Sequence, residues 1–308
     1  MRPTLAQLLL LAIAITLAFS QPSHADAGGA ASLPQSRRTA AVDVSYIRAA
    51  LRASDTRDEN QLQRTQHLFE AHAGKLRASC GNVRDDAMRA QCVHEYLHGN
   101  VLRHYRPQAD DLARALETGE YNCVTAAILW AALADQVGLC VDGIEESAHV
   151  LCLVRTSDGA LLFEPTLVRW SPVRTSIQLD PDTSAGVARV VTRWQLLALL
   201  HYNRAIKLAA QHDYAGAVAG DVAALWHDPS HREARHNLLA AANDWALLLA
   251  RQERWIEAYT VLWATRRFSP GVVPLEQNAA YLQRRLVKVT IERLAPLISG
   301  GILTAGGF

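Results

Sequence analysis

The chain carries almost no net charge: 31 lysines and arginines stand against 30 aspartates and glutamates, for a formal charge of +1. Loss of Arg2 with an N-terminal leader would bring this to about 0, which leaves no global field to hold a polyanion. Nucleic acid is therefore not an expected partner. A spanning segment is also missing, because the apolar run from Leu8 to Phe19 falls short of the roughly 20 residues that cross a bilayer. No cysteine follows that run closely enough to take a lipid, so no stable membrane anchor is expected. Cysteine itself is sparse and odd in number: Cys80, Cys92, Cys123, Cys140 and Cys152 cannot all pair within one molecule.

What is present at the start is Arg2, the apolar run, and then Ser23-His24-Ala25 and Ala25-Asp26-Ala27, the three regions of a secretory signal. Residues 1–25 are read as that signal and 26–41 as a flexible lead-in, with a periplasmic or secreted mature protein. An exported chain keeps disulfides. Cys80 and Cys92 bracket a short polar segment, and Cys140 and Cys152 are expected on neighbouring strands around a turn near Glu146. Both pairs are sterically reasonable, and that pairing leaves Cys123 free. The alternative is a fully reduced set of small core residues.

With 308 residues, half of them hydrophobic, the chain can bury a large core as one large unit or two smaller ones, and two are expected. From Val42 to Leu116 the apolar spacing is helical, with a break at Pro107. A mixed segment follows, giving an α+β class: a helix from Cys123 to about Gln136, then strands near Leu139 to Ile144, His149 to Arg155 and Leu161 to Thr166. Past a loop around Asp180 to Gly186 the composition becomes Ala- and Leu-rich and helical again, over about Trp194 to Leu294. Gly186 marks the expected boundary, with a mixed domain over 42–186 and a helical module over 194–294. Within that module Asp213-Tyr214-Ala215-Gly216-Ala217 matches Arg254-Trp255-Ile256-Glu257-Ala258, and Asp228-Pro229 matches Ser269-Pro270. The offset of 41 (255 − 214) with proline-terminated helices resembles a tetratricopeptide repeat with one element lengthened, and an ordinary helical bundle is the alternative.

The central segment carries the chemistry. A cysteine attacks as its thiolate, which the unpaired N–H groups at a helix start favour, and Cys123 sits at such a start behind Gly119-Glu120-Tyr121-Asn122. The backbone N–H groups of Cys123 and Val124 are the candidate oxyanion donors. His149, at the head of a strand, is the candidate base, and Glu164 on the next strand is the candidate acid that orients it. Their contact depends on the hairpin. Closure through Ser157-Asp158 puts His149 diagonal to Glu164 on one face, closure through Asp158-Gly159 sets them too far apart, and a three-residue loop requires a bulge. Asp158 and Asp142 are the substitute acids.

These residues carry a resemblance. Gly119-Glu120-Tyr121-Asn122-Cys123-Val124-Thr125-Ala126, Ala148-His149-Val150 and Phe163-Glu164-Pro165-Thr166 look like the transglutaminase-like superfamily of thiol enzymes, over roughly Leu97 to Val168. The resemblance implies a papain-like core, a helix-borne cysteine packed on an antiparallel sheet. It implies Cys123 as nucleophile, His149 as base and Glu164 in the place where the family most often has aspartate. It further implies attack on a peptide amide or acyl carbonyl of a peptide or protein substrate, with hydrolysis favoured over transfer to an amine and no cofactor.

Two other classes compete with this one. In the first, the core is inactive and the C-terminal helices recruit a protein partner, so that the chain is a binding scaffold. In the second, His94-Glu95-Tyr96-Leu97-His98 matches H-E-x-x-H, which on a helix puts two imidazoles on one face for zinc with a glutamate as base. Gly99 and Asn100 weaken a helix at that point, and no third histidine follows at the longer motif's spacing, so His94, Glu95 and His98 are only secondary metal candidates.

Overall fold

The computed structural model describes residues 44–302 apart from 55, 57, 147, 148, 176–187, 269, 270 and 272. The expected signal, the lead-in, the loop around Asp180 to Gly186, Ala148 and Ser269-Pro270 lie outside the described residues. Those described divide into two compact units, the first ending at Arg204 and the second beginning at Ala205.

The first unit opens with helices α1 (Ser45–Ala53), α2 (Glu59–Cys80) and α3 (Asp86–Asn100). Aspartates start the longer two: Asp58 accepts from the N–H groups of Asn60 and Gln61, and Asp85 from that of Met88 at 2.8 Å. A disulfide joins Cys80 at the end of α2 to Cys92 in α3, with 5.8 Å between their Cα atoms. Strand β1 (His104–Tyr105), helix α4 (Leu112–Thr118) and strand β2 (Glu120–Tyr121) follow, and β1 runs parallel to β2. Gly119 ends α4 with φ +79°, and a Cβ there would lie 2.7 Å from the Val101 carbonyl oxygen, so the turn requires glycine.

Helix α5 (Cys123–Asp135) is the centre of this unit. Apart from Thr125 at its start its sequence is apolar on every side until Asp135, and Val124 through Ala134 are all buried, as a helix without a polar face must be. It packs on β3 (Cys140–Glu146) and β4 (His149–Thr156). With β5 (Gly159–Phe163), β6 (Val173–Thr175) and β7 (Ala188–Thr192) these strands form an antiparallel sheet in the order β6-β5-β4-β3-β7. Val150, Cys152, Val154, Leu161 and Phe163 enter the same core as α5, and the Phe163 ring lies 4.7 Å from that of Trp130. The architecture is mixed helix and sheet.

The sheet corrects two expectations. The third expected strand stops at Phe163 instead of reaching Thr166, because Pro165 has no N–H to continue a ladder. Cys140 and Cys152 do not form a disulfide. In the ladder Cys140 faces Arg155 and Cys152 faces Gly143, an odd offset of three residues that turns the two side chains to opposite faces. Strands β6 and β7 were not expected at all.

Helix α6 (Leu196–Ala210) spans the division between the units. Leu196, Leu197, Leu199 and Leu200 are buried with the first core, which moves the boundary beyond the composition change near Gly186. The second unit contains α7 (Tyr214–His227), α8 (Arg232–Arg251), α9 (Trp255–Thr265), a 3-10 turn (Arg266–Phe268) and α10 (Val273–Ile302), and each of these α-helices packs on the next. The matched segments at Tyr214 and Trp255 both begin helices, and the 20 residues of α8 between them account for the long offset. Among the described residues no helix is long and apolar enough to cross a membrane.

Candidate active site

The start of α5 is fixed by a reciprocal cap. Asn122 Oδ1 accepts from the Thr125 N–H at 2.9 Å, and Thr125 Oγ1 accepts from the Asn122 N–H at 2.8 Å. The Asn122 amide also donates to the Pro107 carbonyl at 3.4 Å. Since the cap takes up the third N–H of the helix, those of Cys123 and Val124 remain, and together with the N–H of Val150 they favour the thiolate form of Cys123. Burial of the half-buried thiol pushes its pKa up, these three N–H groups pull it down, and the charge of Glu164 adds to the rise. The net result is a thiol held above its ordinary pKa.

His149 begins β4, one residue before Val150, whose N–H lowers the Cys123 pKa. The ladder pairs Thr156 with Gly159 and Cys152 with Phe163, so the hairpin closes through Ser157-Asp158. That is the closure in which His149 and Glu164 share a face, and His149 Nε2 does contact Glu164 Oε2. A carboxylate only accepts, so Nε2 carries the hydrogen, which in the neutral ring leaves the lone pair on Nδ1. The other carboxylate oxygen accepts from the Thr166 N–H at 2.9 Å and the Thr166 hydroxyl at 2.6 Å. The substitute acids lie elsewhere: Asp142 pairs with Arg155 at 2.6 Å, and Asp158 is at the turn end of the hairpin.

Two tyrosines complete the surroundings. Tyr121 donates its hydroxyl to the Thr166 carbonyl at 3.2 Å, and its ring meets that of Tyr105 edge-on at 5.7 Å. The Tyr105 hydroxyl has a raised pKa, first through burial and then through the charges of Cys123 and Glu164. Sequence reading missed Tyr105 because β1 reaches the site by pairing with a strand on the far side of α4. Glu120, in the same short ladder, is tied to Arg114 at 2.6 Å.

The H-E-x-x-H motif is helical, as its spacing requires, but it faces the protein rather than an open cleft. His94 Nε2 donates to the Leu167 carbonyl at 2.8 Å and His98 Nε2 to the Pro165 carbonyl at 3.1 Å. Glu95 is exposed and accepts from Gln91 at 2.7 Å. Burial, and then the neighbouring His98, lowers the His94 pKa to about 4, while burial lowers that of His98. Among the described residues, His94, Glu95 and His98 do not gather into a three-donor cluster.

No protein-family model, curated protein or solved structure matches this chain. The site therefore has to be read from its own atoms. Those atoms supply a thiol on unpaired N–H groups, an imidazole with a lone pair on Nδ1, and a carboxylate fixed to the same ring through Nε2. This set suits nucleophilic attack by sulfur with proton transfer through a histidine. Cys152 is unsuited to such a role, being fully buried with burial holding its thiol well above its ordinary pKa.

Proposed function

We propose that this chain is an exported, transglutaminase-like thiol enzyme that hydrolyses peptide amide or acyl bonds. The observation that carries the reading is the contact between His149 Nε2 and Glu164, one residue from Val150, whose N–H favours the Cys123 thiolate. The disulfide between Cys80 and Cys92 supports an oxidising compartment. The closely packed helices from α7 to α10 would serve as the surface that receives a protein substrate or partner.

In this reading Cys123 rests as a thiol, in keeping with its raised pKa. His149 Nδ1 takes the thiol proton as sulfur adds to the carbonyl carbon, and the N–H groups of Cys123 and Val124 hold the oxyanion that forms. Collapse breaks the carbon–nitrogen bond of an amide, His149 returns the proton to the leaving amine, and a thioester remains. Water, deprotonated by the same nitrogen, then releases the acid and restores the thiol. Glu164 keeps Nε2 protonated throughout, so that each proton is taken up and returned at Nδ1.

A quenched peptide-amide library tests this directly. Wild type is expected to cleave members of it, and Cys123→Ala to lose at least about a thousandfold of that rate while keeping its circular dichroism spectrum. Cleavage by Cys123→Ala at the wild-type rate would overturn the proposal.

A further inference from the structure

We propose that His94 and His98 are positioning residues for Glu164, which turns a sequence motif that reads as zinc-binding into the clamp of the acid loop. The proposal rests on the thiol-enzyme reading above. It begins from a gap in the ladder: β5 ends at Phe163, Pro165 has no N–H, and sheet pairing does not reach Glu164. Something else must hold the segment that carries the carboxylate.

Three consecutive carbonyls of that segment are each taken by a side chain from outside it. His98 donates to Pro165, Tyr121 to Thr166, and His94 to Leu167. The i, i+4 spacing that puts two imidazoles on one face of α3 is also the spacing that lets them grip carbonyls two residues apart. The rings are wedged as well as bonded. That of His94 lies 4.6 Å from His98, 5.8 Å from Phe163 and 5.1 Å from Trp170, at both ends of the loop, and His98 meets Tyr121 at 6.2 Å. His94 itself is 1% exposed. Helix α3 is in turn fastened to α2 by Cys92, two residues before His94. Nδ1 of each ring is buried without a hydrogen-bond partner, so the rings hold the loop as neutral donors.

Glutamine tests this because its Nε2 falls close to the position of the imidazole Nε2, whereas leucine fills the volume and donates nothing. The rate of Cys123 alkylation by iodoacetamide is measured from pH 5 to 10 in Cys140→Ser protein that also carries His98→Gln, His98→Leu, Glu164→Gln, or His98→Leu with Glu164→Gln. The expected result is a neutral-pH rate within about threefold of the parent for His98→Gln, and a loss of about ten- to a hundredfold for His98→Leu. The double variant is expected to be no slower than Glu164→Gln alone, since both changes remove one function. Unchanged kinetics in His98→Leu, equal damage from glutamine and leucine, or multiplied losses in the double variant would each overturn the clamp. Stoichiometric zinc in the purified protein that His98→Gln loses would also overturn it. If the parent shows no His149-dependent alkylation, the enzyme reading fails, and the clamp is then judged by nuclear magnetic resonance alone. In that case the His149 Nε2–H resonance must persist in His98→Gln and be lost in His98→Leu as it is in Glu164→Gln.

Discussion

Glu164 shows how one residue's role depends on a neighbour's turn. Its reach to His149 follows from closing the hairpin at Ser157-Asp158, and closure one position further on would have set the two too far apart along the strand. Asp142 is instead spent on Arg155. His94 carries the clearest pH consequence. Burial holds its pKa at about 4 in the fold against an ordinary value of 6.5, so the unfolded chain takes up the proton first as pH falls. The stability His94 supports is therefore complete above about pH 6.5 and drains away down to about pH 4, on the order of 3 kcal/mol. Urea midpoints measured across this window are expected to fall in wild type and to fall less in His94→Gln; parallel curves would refute the assignment.

At the scale of elements, α5 was the most legible part of the sequence. Its unbroken apolar run, Asn122 at the cap and Gly138 beyond the end mark a buried helix by local signals alone. Strands β6 and β7 were hidden for the opposite reason: Val173–Thr175 is three residues long, and Ala188–Thr192 reaches its partner β3 only after three intervening strands. The pairing of Cys140 with Cys152 failed on register, which sequence spacing does not determine. The bond between α2 and α3 survived because a short polar turn brings the two helices back together. Removing it as Cys80→Ala with Cys92→Ala opens a loop of 12 residues' separation and is expected to cost about 3 kcal/mol, read as a lower melting temperature. No change in melting would show that the helix pair is held by packing alone.

For the whole molecule, the cysteine inventory separates the structure from the two-disulfide arrangement expected from sequence. One disulfide leaves Cys123, Cys140 and Cys152 as thiols, with Cys140 exposed, Cys123 half-buried and Cys152 buried. A thiol reagent should titrate two groups in native protein and three after denaturation without reductant. A single group in the denatured protein would restore the second disulfide. Function at this scale turns on whether the parts meet at Cys123, since the cap, the N–H groups and the hairpin come from separate segments of the chain. The most direct measurement is the pH dependence of Cys123 alkylation in Cys140→Ser protein, with and without His149→Ala. Because burial raises the thiol pKa, reaction near neutrality has to run through a proton passed to His149. The expected profile has a pH-independent shoulder around neutral pH that disappears in His149→Ala. A rate that rises tenfold per pH unit to pH 9 or beyond, the same in both proteins, would contradict the site.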